Sequence, residues 1–457
     1  MIKRSTMMKS ILSMLISVCI LTGCTSYTDN NGLTPGSQNA VDYDEDAETD
    51  DTNSSTSSLE TKTETELLML IPNTLFQSGA ATTNGYYYIQ PGTLDYLTGQ
   101  FRYVDYASGV DIPLSSQVNS THSNSDDTSF IDSIIGDYRM FVFDDFLYFI
   151  RSGAYSYVDD STFGDLAAGA VYRMNLDGSN RTLIYQSESD SDLRMYAIGG
   201  DDSLYLLSQS AETYEIIKIS TKGGPGTVIA SLPLGIDISI LGASGNRIYL
   251  YTIGYDSSMV SSTGDGITYD ILSLDVTNGN VDSIASFSSQ EGSEIVPLMY
   301  NDKIIIYHQS LPYSIDICDS RCNLQQTISL SDIMDESLRP SSSRGASIIG
   351  NTLFIPCWND QESYECNIVI NLETMDMQVS YLTMTQSDGK DTVSAQVVAE
   401  NETYYLAITA TVYEDAEMPL GDGTSTTVQA QHYEYSLIPK AEFSSQSPSV
   451  KEIKRID

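Results

Sequence analysis

Two short runs set an arginine ahead of apolar residues: Tyr138-Arg139-Met140-Phe141 and Leu193-Arg194-Met195-Tyr196. Asp237, Glu294 and Arg344 hold comparable places further along, each just ahead of an apolar stretch. A guanidinium presents a planar fork of donors that fits carboxylates and other anions. Three such groups are a notable share of the cations in a chain with 22 Lys plus Arg against 62 Asp plus Glu. Two readings stay open: a site for an anionic or polar ligand, or a ring of ion pairs that holds the fold together. Paired acids such as Asp237 and Glu294 are also what a carbohydrate-active hydrolase needs, provided their separation suits that chemistry.

Other catalytic equipment is sparse. There is no Gly-x-Ser-x-Gly elbow, no His-Glu-x-x-His and no phosphate-binding Gly-x4-Gly-Lys. Each of the three histidines, His122, His308 and His432, stands alone and reads as structural. Asp42-Tyr43-Asp44-Glu45-Asp46 begins like a calcium loop, but Ala47 replaces the needed glycine and Asn53 the closing glutamate. Asp159-Asp160 and Asp265 are weaker calcium candidates. The expectation is therefore no metal and no cofactor. Cys318, Cys322, Cys357 and Cys366 are the cysteines outside the leader region. In an oxidising compartment their even number favours disulfides, and local bridges 318–322 and 357–366 ask only for hairpin geometry. Free thiols are the main alternative; a four-cysteine zinc site is disfavoured, since the pairs fall on different blades and lack Cys-x-x-Cys spacing.

The elements that must position these groups come from a repeat. Asn or Asp, one variable residue and then an aromatic or aliphatic strand recur at Asn84, Asp145, Asp202, Asn246, Asp302, Asn351 and Asn401. Asn and Asp tolerate the left-handed backbone of a tight hairpin. Each anchor follows an apolar strand, and a second hairpin follows after a variable loop. Four strands per unit, seven units and a period of roughly 50 residues predict an all-β fold: a seven-bladed β-propeller of four-stranded antiparallel blades. Blades are expected to start near 74, 136, 192, 234, 292, 342 and 390; an array of β-sandwiches is the structural alternative. Asp332–Leu338, stopped by Pro340, is the one helix-like stretch. In a propeller the first strand of each blade lines the axis, which places Arg139, Arg194, Asp237, Glu294 and Arg344 around a shared channel. The longer loops fall on one rim and carry Tyr155, Tyr157, Tyr255, Tyr313, Trp358 and Tyr413. Such side chains join apolar area to a hydrogen-bonding tip and suit protein or sugar contact.

The run Tyr172-Arg173-Met174-Asn175-Leu176-Asp177-Gly178-Ser179-Asn180-Arg181-Thr182-Leu183-Ile184-Tyr185 resembles the outer hairpin of TolB-like propellers. It is more similar still to uncharacterised propeller lipoproteins of Gram-positive bacteria. The resemblance covers one blade closely and the other six loosely. It implies the fold and a cell-surface setting, and no activity.

The N-terminus reads separately. Lys3, Arg4 and Lys9 precede Ile11–Leu21, an apolar run of about 11 residues, too short to span a bilayer. Leu21-Thr22-Gly23-Cys24 resembles a bacterial lipobox, which implies a signal peptide over residues 1–23 and diacylglycerol on the Cys24 sulfur. Residues 24–65 are an acidic, Ser/Thr-rich stretch that cannot bury enough apolar surface to fold, a disordered tether. Residues 66–457 are the propeller. The formal net charge of −40 argues against a nucleic-acid partner. The expectation is a monomeric lipoprotein, lipid-anchored on the outer side of the cell membrane. Its function is expected to be non-enzymatic binding of an extracellular protein or glycan.

Overall fold

A computed structural model describes residues 66–456 apart from 72–78, 93–97, 118–121, 123–125, 133–137, 154–167, 189–190, 211, 234–235, 256–266, 289–294, 335–336, 342–344, 362, 387–392 and 420–423. The fold is all-β, with seven antiparallel blades around an axis. Blade 1 comprises Ala80–Ala81, Gly85–Pro91, Gly99–Asp105 and Val110–Pro113. Blade 2 comprises Tyr138–Phe143, Phe146–Arg151, Ala170–Asn175 and Thr182–Gln186. Blades 3, 4 and 5 open on Ser191–Gly200, Ile236–Ser244 and Ile295–Tyr300. Blade 6 has a divided inner strand, Leu338–Pro340 and Ser347–Ile349, ahead of Thr352–Asn359, Tyr364–Asn371 and Met377–Ser380. Blade 7 comprises Gln396–Glu400, Tyr404–Pro419, Ser425–Pro439 and Lys451–Glu452.

The physical basis of the ring is that central strands are buried on both faces. In blade 1, Tyr86 and Tyr88 pack toward blade 7 while Tyr87 and Ile89 pack toward blade 2. This is why the second strands read as unbroken apolar runs rather than alternating ones. Each interface between adjacent blades holds its own apolar cluster, seven in all.

All seven anchors fall in the turn between inner and second strand, with a shift of one residue. The left-handed residue is the one before the anchor in five blades: Asp144, Asp201, Gly245, Asn301 and Gly350, with φ from 48° to 58°. Of the anchors themselves only Asp145 is left-handed. Asn401 acts through its side chain instead, its Oδ1 accepting the backbone N–H of Thr403 and Tyr404. The described residues of 332–338 do not form the expected helix: Met334 N–H bonds to Leu330 O in a turn, and Leu338 already belongs to a strand. The run is too short to repay the cost of nucleating a helix, and its last residues are taken by sheet pairing.

The outer turns share a second device. Asp105, Asp275 and Asp319 open them and accept N–H groups two to four residues on. Hydrogen bonds to the charged form hold the carboxyls of Asp105, Asp177, Asp275 and Asp319 below the ordinary range. A depressed folded-state pKa adds stability above the unfolded value and loses it as pH falls through the folded one. The melting temperature should therefore drop below about pH 4. Asp275→Asn, which keeps the acceptor but cannot be protonated, should weaken the dependence. A flat profile from pH 6 to 3 would contradict this.

Chain ends close the ring. Ile453 N–H bonds to Tyr435 O in blade 7, and Lys454–Arg455 then runs parallel to the outer strand of blade 1. Beneath it Arg102, 1% exposed, pairs with Asp111 at 3.0 Å and donates to Ile456 O at 2.8 Å. Tyr88 donates to the same carboxylate at 2.6 Å. At the other end Leu68–Met69 adds to the free inner edge of blade 3, Leu68 opposite Gly199 and Met69 opposite Ile198. Leu67 N–H reaches Gly245 O, and both Leu67 and Ile71 are 3% exposed. The chain thus enters on the side of the inner turns and climbs the axis before forming blade 1.

Candidate functional site

The inner strands of blades 2, 3 and 4 start on the side opposite those turns, the loop side. Arg139, Arg194 and Asp237 stand close to these starts, so they meet at one end of the axis. Blade 3 does something the repeat does not announce. Leu193 pairs with Ser208 and Ala197 with Leu206, so the register shifts across Arg194, Met195 and Tyr196. A bulge of this kind re-aims side chains and is common beside functional sites.

Tyr196 marks the centre of the group. Burial raises its hydroxyl pKa; a hydrogen bond with Ser239 and the positive charges of Arg194 and Arg139 pull it down, while Asp237 pushes it up. The charge of Arg139 also acts on the buried Tyr86, whose hydroxyl pKa is raised mainly by burial. Two guanidiniums, a carboxylate, a phenol and Ser239 therefore converge. Arg139 donates to the Tyr138 carbonyl at 2.9 Å. Among the described residues neither arginine nor Asp237 makes an ion pair. A ring of axial salt bridges is thus not formed by these three; the buried ion pair at ring closure is Arg102–Asp111 on the outer side of blade 1. Glu294 and Arg344 lie outside the described residues.

At the inner-turn end the axial lining is uncharged and mixes apolar side chains with Asn301 and backbone. A cavity of about 250 Å³ is lined by Leu68, Met69, Leu241, Met299, Tyr300 and Ile348. The N-terminal strand forms one of its walls. Sequence reasoning placed five charged residues around a shared channel and missed this part. Its signal was the apolar run Leu67–Ile71, directly after the acidic stretch.

The rim is described only in part. Tyr155 and Tyr157 lie outside the described residues, and Tyr255 is described only as the last residue of its strand. Trp358 is half-buried at the loop end of blade 6, opposite Arg339 on one side and the buried Glu365 on the other. Arg339 pairs with Asp360 at 3.0 Å. Tyr313 lies near that pair. Tyr413 stands on a long hairpin of blade 7 instead of a loop. Cys24 lies outside the described residues.

All four cysteines described are free thiols, so the bridges 318–322 and 357–366 are not formed. Cys357 and Cys366 are nevertheless direct cross-strand neighbours, and Cys318 and Cys322 share a hydrogen bond across their turn. Burial is the main cause that pushes the Cys322 thiol up to about 12 and the Cys366 thiol up to about 11, and it raises Cys318 and Cys357 as well. A neutral thiol in an apolar surround is a poor nucleophile. His308 contacts Asp316 at 2.9 Å and His122 contacts Asp127 at 3.0 Å. No group of three or more metal-ligating side chains occurs among the described residues.

No family model and no curated protein matches the chain. Solved structures do resemble it in fold. The β-propeller domain of the Trilobed protease from Pyrococcus furiosus, described as having an open velcro topology, is 8% identical with a TM-score of 0.45, over 85% of this chain and 97% of that one. Oligogalacturonate lyase from Vibrio parahaemolyticus is 10% identical with a TM-score of 0.36, over 69% and 95%. An uncharacterized protein of Listeria monocytogenes is 11% identical with a TM-score of 0.40, over 70% and 85%. These likenesses concern the fold alone.

Proposed function

We propose that the chain is a cell-surface lipoprotein whose propeller is a non-enzymatic binding module. It takes an anionic or polar group of an extracellular protein or glycan at the loop-side end of the axis. The observation that carries this is the convergence of Arg139 and Arg194, unpaired among the described residues, on a bulged strand beside Tyr196. A partly buried guanidinium without a carboxylate partner among the described residues is ready for an anion. The overall charge of −40 fits a site that selects by local geometry rather than by general attraction. The one-blade resemblance to TolB-like propellers and Gram-positive propeller lipoproteins supports the same setting. Attachment would come through diacylglycerol on Cys24, with no further cofactor.

The test is a glycan and peptide array probed with the full chain. Carboxylate-bearing ligands should be retained, and Arg139→Ala and Arg194→Ala should each weaken retention roughly 10- to 100-fold, the effect of losing one charged hydrogen bond. Absence of any ligand, or retention unchanged in both variants, would sink the proposal.

A further inference from the structure

Blade 7 differs from its neighbours in length. Its second and third strands run for 16 and 15 residues, Tyr404–Pro419 and Ser425–Pro439, whereas its inner strand is Gln396–Glu400 and pairs only with 405–408. At about 3.3 Å per residue, the part beyond Thr411 is roughly 25 Å long and lies wholly past the inner strand on the loop side. Thr385 supports the base of this arm: its N–H bonds to Thr409 O, and its carbonyl accepts Thr411 N–H. On the other side the outer strand reaches only Ser436 and Leu437, with Ile453 bonding to Tyr435. Past these points the arm is a ribbon of two strands, and no third strand pairs with it among the described residues.

The two faces of the ribbon are unlike. Ala416, Ala430 and His432 lie on one and are buried. On the other stand Tyr413, Asp415 and Glu417, opposite Gln431, Gln429 and Thr427, all exposed. Cross-strand hydrogen bonds hold the two carboxylates in place. Ser425 donates to Glu417 at 2.6 Å, Thr427 donates to it at 3.3 Å, and the Gln429 amide donates to Asp415. Neither carboxylate meets a cation among the described residues. Isolated two-stranded ribbons are marginal in water, and a free edge is a template for another strand. Proteins usually guard such an edge with charged side chains, lysine above all, with proline or with a bulge. Of these guards Val412–Met418 carries only carboxylates, Glu414, Asp415 and Glu417, which repel an acidic strand but not a cationic one.

We propose that the free edge of Val412–Met418 takes up an extended segment of a partner protein with Lys or Arg at alternate positions. Backbone pairing supplies the affinity in this mode, and alternate side chains supply the selection. Every second side chain of the added strand falls beside Tyr413, Asp415 and Glu417, at the spacing of cross-strand neighbours. A second copy of this chain is disfavoured there, because its own Asp415 and Glu417 would face like charges.

The experiment titrates the full chain with a ten-residue peptide alternating Lys and Thr. Three comparison peptides accompany it: one with Glu for Lys, one N-methylated on every second amide, and one N-methylated on the intervening amides. The Lys peptide should bind. The Glu peptide and one of the two N-methylated peptides should each bind at least about tenfold more weakly, and Asp415→Asn with Glu417→Gln should cause a similar loss. These positions are exposed, so the melting temperature should hold, and the peptide series remains decisive if it does not. No binding of the Lys peptide would overturn the proposal. So would equal binding of all N-methylated peptides, which would mean charge attraction without strand pairing, or self-association through the arm in sedimentation.

Discussion

Replacing Arg102 with leucine is expected to destabilise the propeller by about 3–5 kcal/mol, the usual cost of stripping one partner from a buried ion pair. The side chain is 1% exposed and donates to the Asp111 carboxylate by its Nε at 3.0 Å, the Asp111 carbonyl at 3.2 Å, the Gln100 side chain at 2.8 Å and the Ile456 carbonyl at 2.8 Å. Asp111 has only 4% of its surface exposed, and burial already raises its pKa against the pull of Arg102 and Tyr88. Without the arginine that carboxylate keeps only the Tyr88 hydrogen bond and the charge of Arg455, and it takes up a proton more readily. The loss is large against the 5–15 kcal/mol that holds an ordinary domain. Denaturant unfolding should show a lower midpoint, and residues 451–456 should become the first site of proteolysis. The double replacement Arg102→Leu with Asp111→Leu should recover part of the loss, because no lone charge then stays buried. A change under about 1 kcal/mol for Arg102→Leu would place ring closure elsewhere.

Replacing Cys24 with alanine is expected to move the chain from the membrane fraction to the soluble fraction. Each buried methylene contributes about 0.8 kcal/mol, so two acyl chains hold a protein firmly where one holds it only reversibly. Ile11–Leu21 is too short to replace that anchor by spanning the bilayer, and none of the described residues forms a helix long and apolar enough to do so. Fractionation of cells, with incorporation of labelled fatty acid into the wild-type chain, reads the outcome. Unchanged membrane retention of the variant would refute lipidation at Cys24.

The repeat was legible because its cause is local. A two-residue turn between two apolar strands needs a residue that accepts positive φ, and Asn, Asp and Gly are the few that do so at low cost. The one-residue offset from Asp202 to Asp201, or from Asn246 to Gly245, was not legible, since adjacent turn residues suit either place. The two chain ends were less readable for the opposite reason. Leu68–Met69 and Lys454–Arg455 are strands only because distant edges were left open for them. Nothing in Lys-Glu-Ile-Lys-Arg favours a strand by itself. At the candidate site, the arginines stood out as scarce cations, but the bulge that turns Arg194 and Tyr196 depends on how blade 3 pairs, which no local pattern records. The blade 7 arm lay under a similar veil: Tyr413 was visible as a residue, while the length of its hairpin was not.

The N-terminal strand also fixes how the fold would bear a load. Tension on the residues before Glu66 pulls along the axis, parallel to the strands that Leu68 and Met69 join. The inner-edge ladder is then loaded in shear, so its hydrogen bonds must give way together instead of peeling one by one. Leu67 and Ile71, both buried, act as stops within the channel. A fold pulled in this way would yield first at this short plug, whose withdrawal removes one wall of the cavity and takes Leu67 and Ile71 out of the cores between blades 3 and 4 and between blades 2 and 3.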